Sequence, residues 1–486
     1  MEVFASAAIS LFRPEVLIAI LSGTVGGMII GAIPGLTATM AVALLIPITF
    51  GMDPVVGLSL MGGVYSGGMY GGAISSILLS TPGTPAAAAT AFDGYPLTRK
   101  GKGGMAIAVA TVSSFWGGII STFALLLLAP ALAHFSLRFG PPEYFLLALL
   151  GLASIVTLTS GNLLKGLVSG VIGLIIATIG MDPIDGYLRF TGGVVDLFEG
   201  VSFMPVLIGL FSVSQILELT ADSQIVQKLE TDPSKLNTHK IPKGLAPTIG
   251  RGGLIGTIVG ILPGAGATIA AFISYNFAKQ LSSDPESFGK GNPIGVAASE
   301  SANNGCVGGS LVPLLTLGIP GNSVAAALMG GLMIQGLIPG PELFTRYGHV
   351  TYAFILSLFV ANICFLLLGL YGARFFARVA TVPNSLLIPT IAILSVIGSY
   401  AINNSMFDVW LMLACGFLGY FMDRAGFSLG AVVLGLILGP IAELGFGQSL
   451  IISDGSPVIF FTRPICIILW GIIFLLLLPA IKRKNR

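Results

Sequence analysis

Gly31-Ala32-Ile33-Pro34-Gly35-Leu36-Thr37-Ala38-Thr39 sets a Pro-Gly pair inside an otherwise apolar run. The skeleton returns 229 positions later as Gly260-Ile261-Leu262-Pro263-Gly264-Ala265-Gly266-Ala267-Thr268. Proline removes a helix donor and clashes with the preceding turn, so each site predicts a helix break. In lipid the freed N–H and C=O groups cost several kcal/mol apiece if left unpaired. Matched breaks in the two parts of a membrane chain are a sequence pointer to a transporter's binding region.

The surrounding composition fits a membrane. Of 486 residues, 54% are hydrophobic and 9% charged, against about 25% charged in soluble domains. Mean hydropathy is +0.95. Many apolar runs approach the roughly 20 residues that span a bilayer, and the 66 glycines argue for close helix packing. We therefore expect an all-α polytopic membrane protein. Net charge is only +2, with no basic patch that suggests nucleic acid. Cys306, Cys364, Cys415 and Cys466 are scattered through apolar segments and read as small buried hydrophobes. The N-terminus lacks a basic n-region, and the run from Val16 leads into the first break, so it reads as retained structure. No H-E-x-x-H or P-loop pattern occurs. The stretch Pro263–Thr268 lacks the Walker lysine, so ATP drive is unsupported.

Taken in order, a second break, Ser80-Thr81-Pro82-Gly83-Thr84-Pro85, follows a Gly-rich run at 55–79 that reads as packing. Four simpler spans are expected at about 104–130, 143–160, 164–180 and 203–218, with an acidic insert at 181–202. The later part repeats the plan. Gly318-Ile319-Pro320-Gly321-Asn322-Ser323 stands in the place of the second break, followed by spans near 350–372, 384–400, 407–422 and 428–446. Pro82 to Pro320 is 238 positions; Pro142 to Pro383, Ser154 to Ser395, Asn162 to Asn403 and Asp182 to Asp423 are all 241. This gives two repeats, 1–218 and 252–446, a polar linker at 219–251, and an extra span with a basic tail at 447–486. Lys and Arg mark cytoplasmic loops. The loop at 99–102, the linker and Lys482-Arg483-Lys484 are then inside, and 181–202 is outside. The repeats come out inverted, with 11–12 spans and an external N-terminus.

A half-helix N-terminus offers free N–H groups and partial positive charge to an anion, while unwound carbonyls suit a cation. The candidate carboxylate site is Pro34, Gly35, Thr37, Thr39, Thr81, Gly83, Thr84, Gly264, Gly266, Thr268, Gly321, Asn322 and Ser323. The alternative is that these residues only shape kinks. Glu300 is the one acid well inside an apolar stretch before a break. With Asn303 and Asn304 it is a candidate for a coupling Na⁺ or proton; the alternative places Glu300 at the membrane edge.

These motifs, in this order, resemble the large membrane subunit of tripartite tricarboxylate transporters, the TctA family, over roughly residues 15–445. The resemblance implies a bacterial inner-membrane secondary transporter that imports a carboxylate, such as a tricarboxylate, on an ion gradient, with Na⁺ foremost. It also implies a periplasmic solute-binding protein and a small membrane subunit of about four spans. No other cofactor and no enzymatic activity are expected. A passive channel and a membrane-embedded enzyme are the competing classes. An elevator-like movement of the broken segments against the simpler spans is the expected mechanism, with 181–202 and 339–348 as docking loops.

Overall fold

Proline and short polar residues decide where the helices begin. Asp53 accepts from the N–H groups of Val55 and Val56 ahead of Pro54, and Asn292 accepts from Ile294 N–H ahead of Pro293. In each case a side-chain oxygen satisfies an orphan donor while proline takes a position that needs none. The computed structural model describes residues 2–153, 163–221, 236, 238, 241–264 and 266–483. Ser154 and Asn162, used for the repeat spacing, lie outside the described residues, as do Lys228, Lys235, His239 and Lys240 of the linker and Lys484 of the tail.

The described residues are mostly helical. The helices are α1 (Glu2–Ser10), α2 (Pro14–Ala32), α3 (Ala38–Leu45), α4 (Pro54–Leu79), α5 (Ala88–Arg99), α6 (Gly103–Ser136), α7 (Pro141–Ala153), α8 (Leu163–Ala177) and α9 (Phe203–Ala221). There follow α10 (Ala246–Ile261), α11 (Gly266–Leu281), α12 (Pro293–Leu317), α13 (Ser323–Ile334), α14 (Gly348–Tyr371), α15 (Asn384–Asn403), α16 (Met406–Arg424), α17 (Leu429–Ile452) and α18 (Pro464–Arg483). Among the described residues seven helices are long and apolar enough to cross a membrane: α2, α6, α9, α14, α15, α16 and α17. Large apolar side chains such as Leu127, Ile258 and Phe421 are bare on the outside, as a lipid-facing surface requires.

The centre is different. Residues Met61–Leu79 of α4 and Gly295–Thr316 of α12 are buried without interruption. Small residues make this possible. On α2, a Cβ added at Gly27 would collide with the Val64 carbonyl of α4, and one at Gly31 with the Gly68 carbonyl. On α10, Gly256 sits likewise on the Ala302 carbonyl of α12, and Gly260 on that of Cys306. The α2 and α10 positions differ by 229 and the α4 and α12 positions by 238, the two spacings that separate the break motifs. The pairs interlock: α4 packs on α14 while α12 packs on α6, and α17 packs on α8 while α9 packs on α16.

Two departures from the sequence reading concern local geometry. The insert at 181–202 contains a small antiparallel hairpin, β1 (Gly180–Met181) and β2 (Leu188–Arg189), with Gly180 opposite Arg189. Its turn is made by Asp182, which accepts from the N–H groups of Ile184 and Asp185, and by Gly186 at φ +72. Helix α6 runs past Pro130 to Ser136, whose hydroxyl donates to the Ala133 carbonyl and contacts the Thr316 carbonyl of α12.

Candidate functional site

The two Pro-Gly turns that follow α2 and α10 are each held by glycine. Helix α2 ends at Ala32, and Gly35 turns the chain at φ +88. Helix α10 ends at Ile261, and Gly264 turns it at φ +76. A side chain at either position would be strained. Pro34 is half-buried and Gly35 exposed, facing Gln215 and Leu219 of α9. In the second pair of breaks, Gly83 lies against the Gly31 carbonyl and Gly321 against that of Gly260. Gly264 N–H donates to the Gly321 carbonyl at 2.9 Å. The Pro-Gly turns and the following loops are thus stacked on each other.

New helices start at these turns. Thr37 Oγ1 accepts from Met40 N–H and caps α3; Asn322 Oδ1 accepts from Ala325 N–H at 2.8 Å and caps α13. The two starts meet where Thr39 Oγ1 and Ser323 Oγ lie 3.0 Å apart. Beneath them runs a buried chain of hydrogen bonds. Asn322 Nδ2 donates to the Tyr65 hydroxyl at 2.8 Å, which is 2.8 Å from Ser310 Oγ, and Ser310 donates to the Val307 carbonyl. On the other side, Gly266 and Thr268 open α11, which packs on the turn Pro85–Ala87 just after Thr84. Thr84 is buried over Gly72, and Thr81, half-buried, leans on the Leu79 carbonyl at 3.4 Å.

Glu300 lies in the interior. It is fully buried in α12, accepting from Thr90 Oγ1 of α5 at 2.5 Å and from Ser114 Oγ of α6 at 2.9 Å. Among the described residues it has no ion-pair partner. Asn303, one turn on, donates to the Met69 carbonyl of α4 at 3.2 Å. Its Oδ1 and both side-chain polar atoms of Asn304 are buried without a hydrogen bond among the described residues. Among the described residues no three His, Cys, Asp or Glu gather as a metal would need.

Sequence reasoning missed several of the polar partners. Thr90, Ser114 and Ser310 stand in stretches with no local signal, and only the packing of α4, α5, α6 and α12 brings them in. It also missed Asp93, a buried carboxylate of α5. Asp93 Oδ1 accepts from the N–H groups of Gly289, Gly291 and Asn292, and Oδ2 accepts from the Tyr275 hydroxyl. It clasps the loop that starts α12 and stands apart from the breaks.

A cavity of about 700 Å³ opens between the hairpin insert, the loop at 338–342 and α17, reaching inward to Gly318. Arg189 pairs there with Asp182 at 2.9 Å and bidentately with Glu443. The N–H groups of Asp185 and Ile184, more than Arg189 itself, hold the Asp182 carboxyl below its ordinary range. The carboxylates keep Arg189 firmly protonated.

The sequence matches the family described as the tripartite tricarboxylate transporter TctA family over residues 17–434. The chain belongs to that family. It is 38% identical over 472 residues to an uncharacterized 52.8 kDa protein in the TAR-I ttuC′ 3′ region of Agrobacterium vitis, covering 95% of this chain and 93% of the relative. A protein in the TAR-II ttuC′ 3′ region of the same organism is 39% identical over 234 residues, 47% of this chain and 97% of the relative. No solved structure matches. As a TctA protein the chain is a multi-pass membrane component of a tripartite transporter, a system that also includes membrane and periplasmic binding-protein partners.

Proposed function

We propose that this TctA protein is the translocating subunit of an ion-coupled carboxylate importer, with the carboxylate bound where α3 and α13 begin. The observation that carries the reading is the 3.0 Å contact between Thr39 and Ser323. It joins two helix N-termini from stretches nearly 300 residues apart. Each N-terminus contributes N–H groups and a fraction of a positive charge. Two of them with hydroxyls attract a carboxylate without a fixed cation, which suits a ligand that must be released again.

Several further readings follow from the same arrangement. The recurring register of α2 on α4 and α10 on α12 supports an inverted duplication, 1–218 and 252–446. Helices α6 and α14 press glycines onto α12 and α4, as at Gly117 on the Ser301 carbonyl and at Gly369 on the Tyr70 hydroxyl. This supports an elevator that departs from the sequence expectation in one respect: α6 and α14, two of the simpler spans, travel with the broken segments, while α7–α9 and α15–α17 stay as the frame. The small subunit of about four spans completes the membrane part, in a bacterial inner membrane. The acidic mouth of the 700 Å³ cavity, framed by 181–202 and 339–348, is the docking face for the periplasmic binding protein. The coupling ion is Na⁺.

The test is uptake of labelled citrate, then of other di- and tricarboxylates, into proteoliposomes holding this chain and its small subunit. The binding protein is added outside, with and without an inward Na⁺ gradient. Uptake that needs both is expected, and Thr39→Val should abolish it while the protein still purifies folded. Uptake that needs neither would instead indicate a passive pore, and chemical conversion of the solute an embedded enzyme.

A further inference from the structure

The two helix pairs share one packing register but not one polar chemistry. At the 238-residue spacing, Tyr65 corresponds to Asn303, Gly72 to Ser310, Thr84 to Asn322, and Gly62 to Glu300. Around the later break, Tyr65, Asn322 and Ser310 reach one another and close their hydrogen bonds at 2.8 Å. Around the earlier break their counterparts are Asn303, Thr84 and Gly72, each of them shorter. They do not close. Asn303 spends its Nδ2 on the Met69 carbonyl, and its Oδ1 is buried with no donor among the described residues. Thr84 Oγ1 is buried with no partner among the described residues and lies against Gly72, where an added Cβ would come within 2.6 Å of it. Asn303 and Thr84 are thus both seated on α4, at Met69 and Gly72, positions one turn apart.

The charge is divided in the same way. One turn before Asn303 is Glu300, held by Thr90 and Ser114. Its counterpart Gly62 lies against the ring of Phe354 and the side chain of Leu358. The earlier break therefore combines unpaired neutral oxygens with a buried carboxyl group that has no cationic partner among the described residues. The Gly31 carbonyl, in the last turn of α2, lies against Gly83 beside Thr84. Helix C-terminal carbonyls and side-chain oxygens are the donors a hard cation takes.

We infer that the two breaks at 80–85 and 318–323 have divided the work: the later one, where Ser323 meets Thr39, takes the carboxylate, and the earlier one takes a sodium ion on Thr84 Oγ1 and Asn303 Oδ1, with Glu300 as the counter-charge. This deepens the ion-coupled reading above and rests on it. It makes Thr84 a cation ligand and separates it from the carboxylate site.

The experiment is thermal unfolding of the purified full-length chain in detergent, titrated with NaCl against choline chloride at constant ionic strength. Sodium should raise the midpoint of the native protein, since a ligand that binds only the folded state stabilises it. Thr84→Val removes a hydroxyl that has no hydrogen bond, so its midpoint in choline should match the native one. The sodium concentration it needs should rise about tenfold or more, a loss worth one oxygen ligand. Thr84→Ser should keep the native response, and Asn303→Ala gives the second read-out should the valine variant fold poorly. Thr39→Val should keep the sodium response while losing carboxylate uptake. A native sodium response in both Thr84→Val and Asn303→Ala overturns the site, as does its loss in Thr39→Val alone. Absence of any sodium response in the native protein overturns the proposal while leaving carboxylate transport, read separately in proteoliposomes, to stand or fall by itself.

Discussion

Replacing Tyr65 by phenylalanine tests whether the buried hydrogen-bond chain prepares the carboxylate site. The Tyr65 hydroxyl accepts from Asn322 Nδ2 and lies 2.8 Å from Ser310 Oγ. Its removal leaves the Asn322 amide, 6% exposed, with an unpaired donor at the start of α13. A net hydrogen bond is worth about 1 kcal/mol and an orphaned buried donor costs about 1–3 kcal/mol; in membrane proteins the measured mean is nearer 0.6 kcal/mol per bond. Two bonds lost therefore amount to about 1–3 kcal/mol. Asn322 is the cap that aims the α13 N-terminus at Thr39, so part of this loss should appear in ligand binding. Carboxylate affinity should fall about 3- to 20-fold, taking tenfold per 1.4 kcal/mol. The control is Tyr70→Phe. Tyr70 is equally buried, stacked on Phe365 at 5.2 Å, and its hydroxyl bonds Thr111, away from both α3 and α13. Tyr70→Phe should lower thermal stability without changing affinity. The assay is half-saturation of carboxylate uptake in proteoliposomes with saturating binding protein. Native half-saturation in Tyr65→Phe, or equal shifts in both variants, would refute a role for the chain in aiming α13.

Other outcomes follow from single contacts. Gly256→Val drives a branched side chain into the Ala302 carbonyl and should lower the stability of the folded protein in detergent by several kcal/mol, read by thermal unfolding; Gly250→Ala, with nothing near its added carbon, should be neutral in the same assay. Asp93→Ala strips three backbone N–H groups of their acceptor, so limited proteolysis should begin at residues 285–291 while the native loop resists. Arg189→Ala should free the hairpin from α17, read as faster cleavage within 182–200. In the native protein the hairpin should withstand mild acid. The Asp182 carboxyl is held low, so its contribution is complete above the ordinary Asp value of about 3.9 and is lost only as pH falls below that towards the lowered value; loss of protection already at pH 6 would contradict this.

Much of the architecture can be read from local chemistry. Pro34-Gly35 and Pro263-Gly264 break helices wherever they sit, because proline lacks the N–H and glycine alone takes positive φ cheaply. Asp53-Pro54 and Asn292-Pro293 start them for the same kind of reason. The spacings of 229 and 238 residues, visible as motif offsets, reappear as the register of α2 on α4 and of α10 on α12. What the sequence left undecided is which polar groups meet. Thr39 and Ser323 are 284 positions apart, and Glu300 meets Thr90 and Ser114 across three helices. No periodicity carries such pairings, because they depend on how interlocked helices settle in depth and rotation. The contrast between Tyr65 and Asn303 needed both levels: the sequence aligns the two positions, and only the packed structure reveals that one side closes its hydrogen bonds while the shorter side chains of the other fall short of doing so.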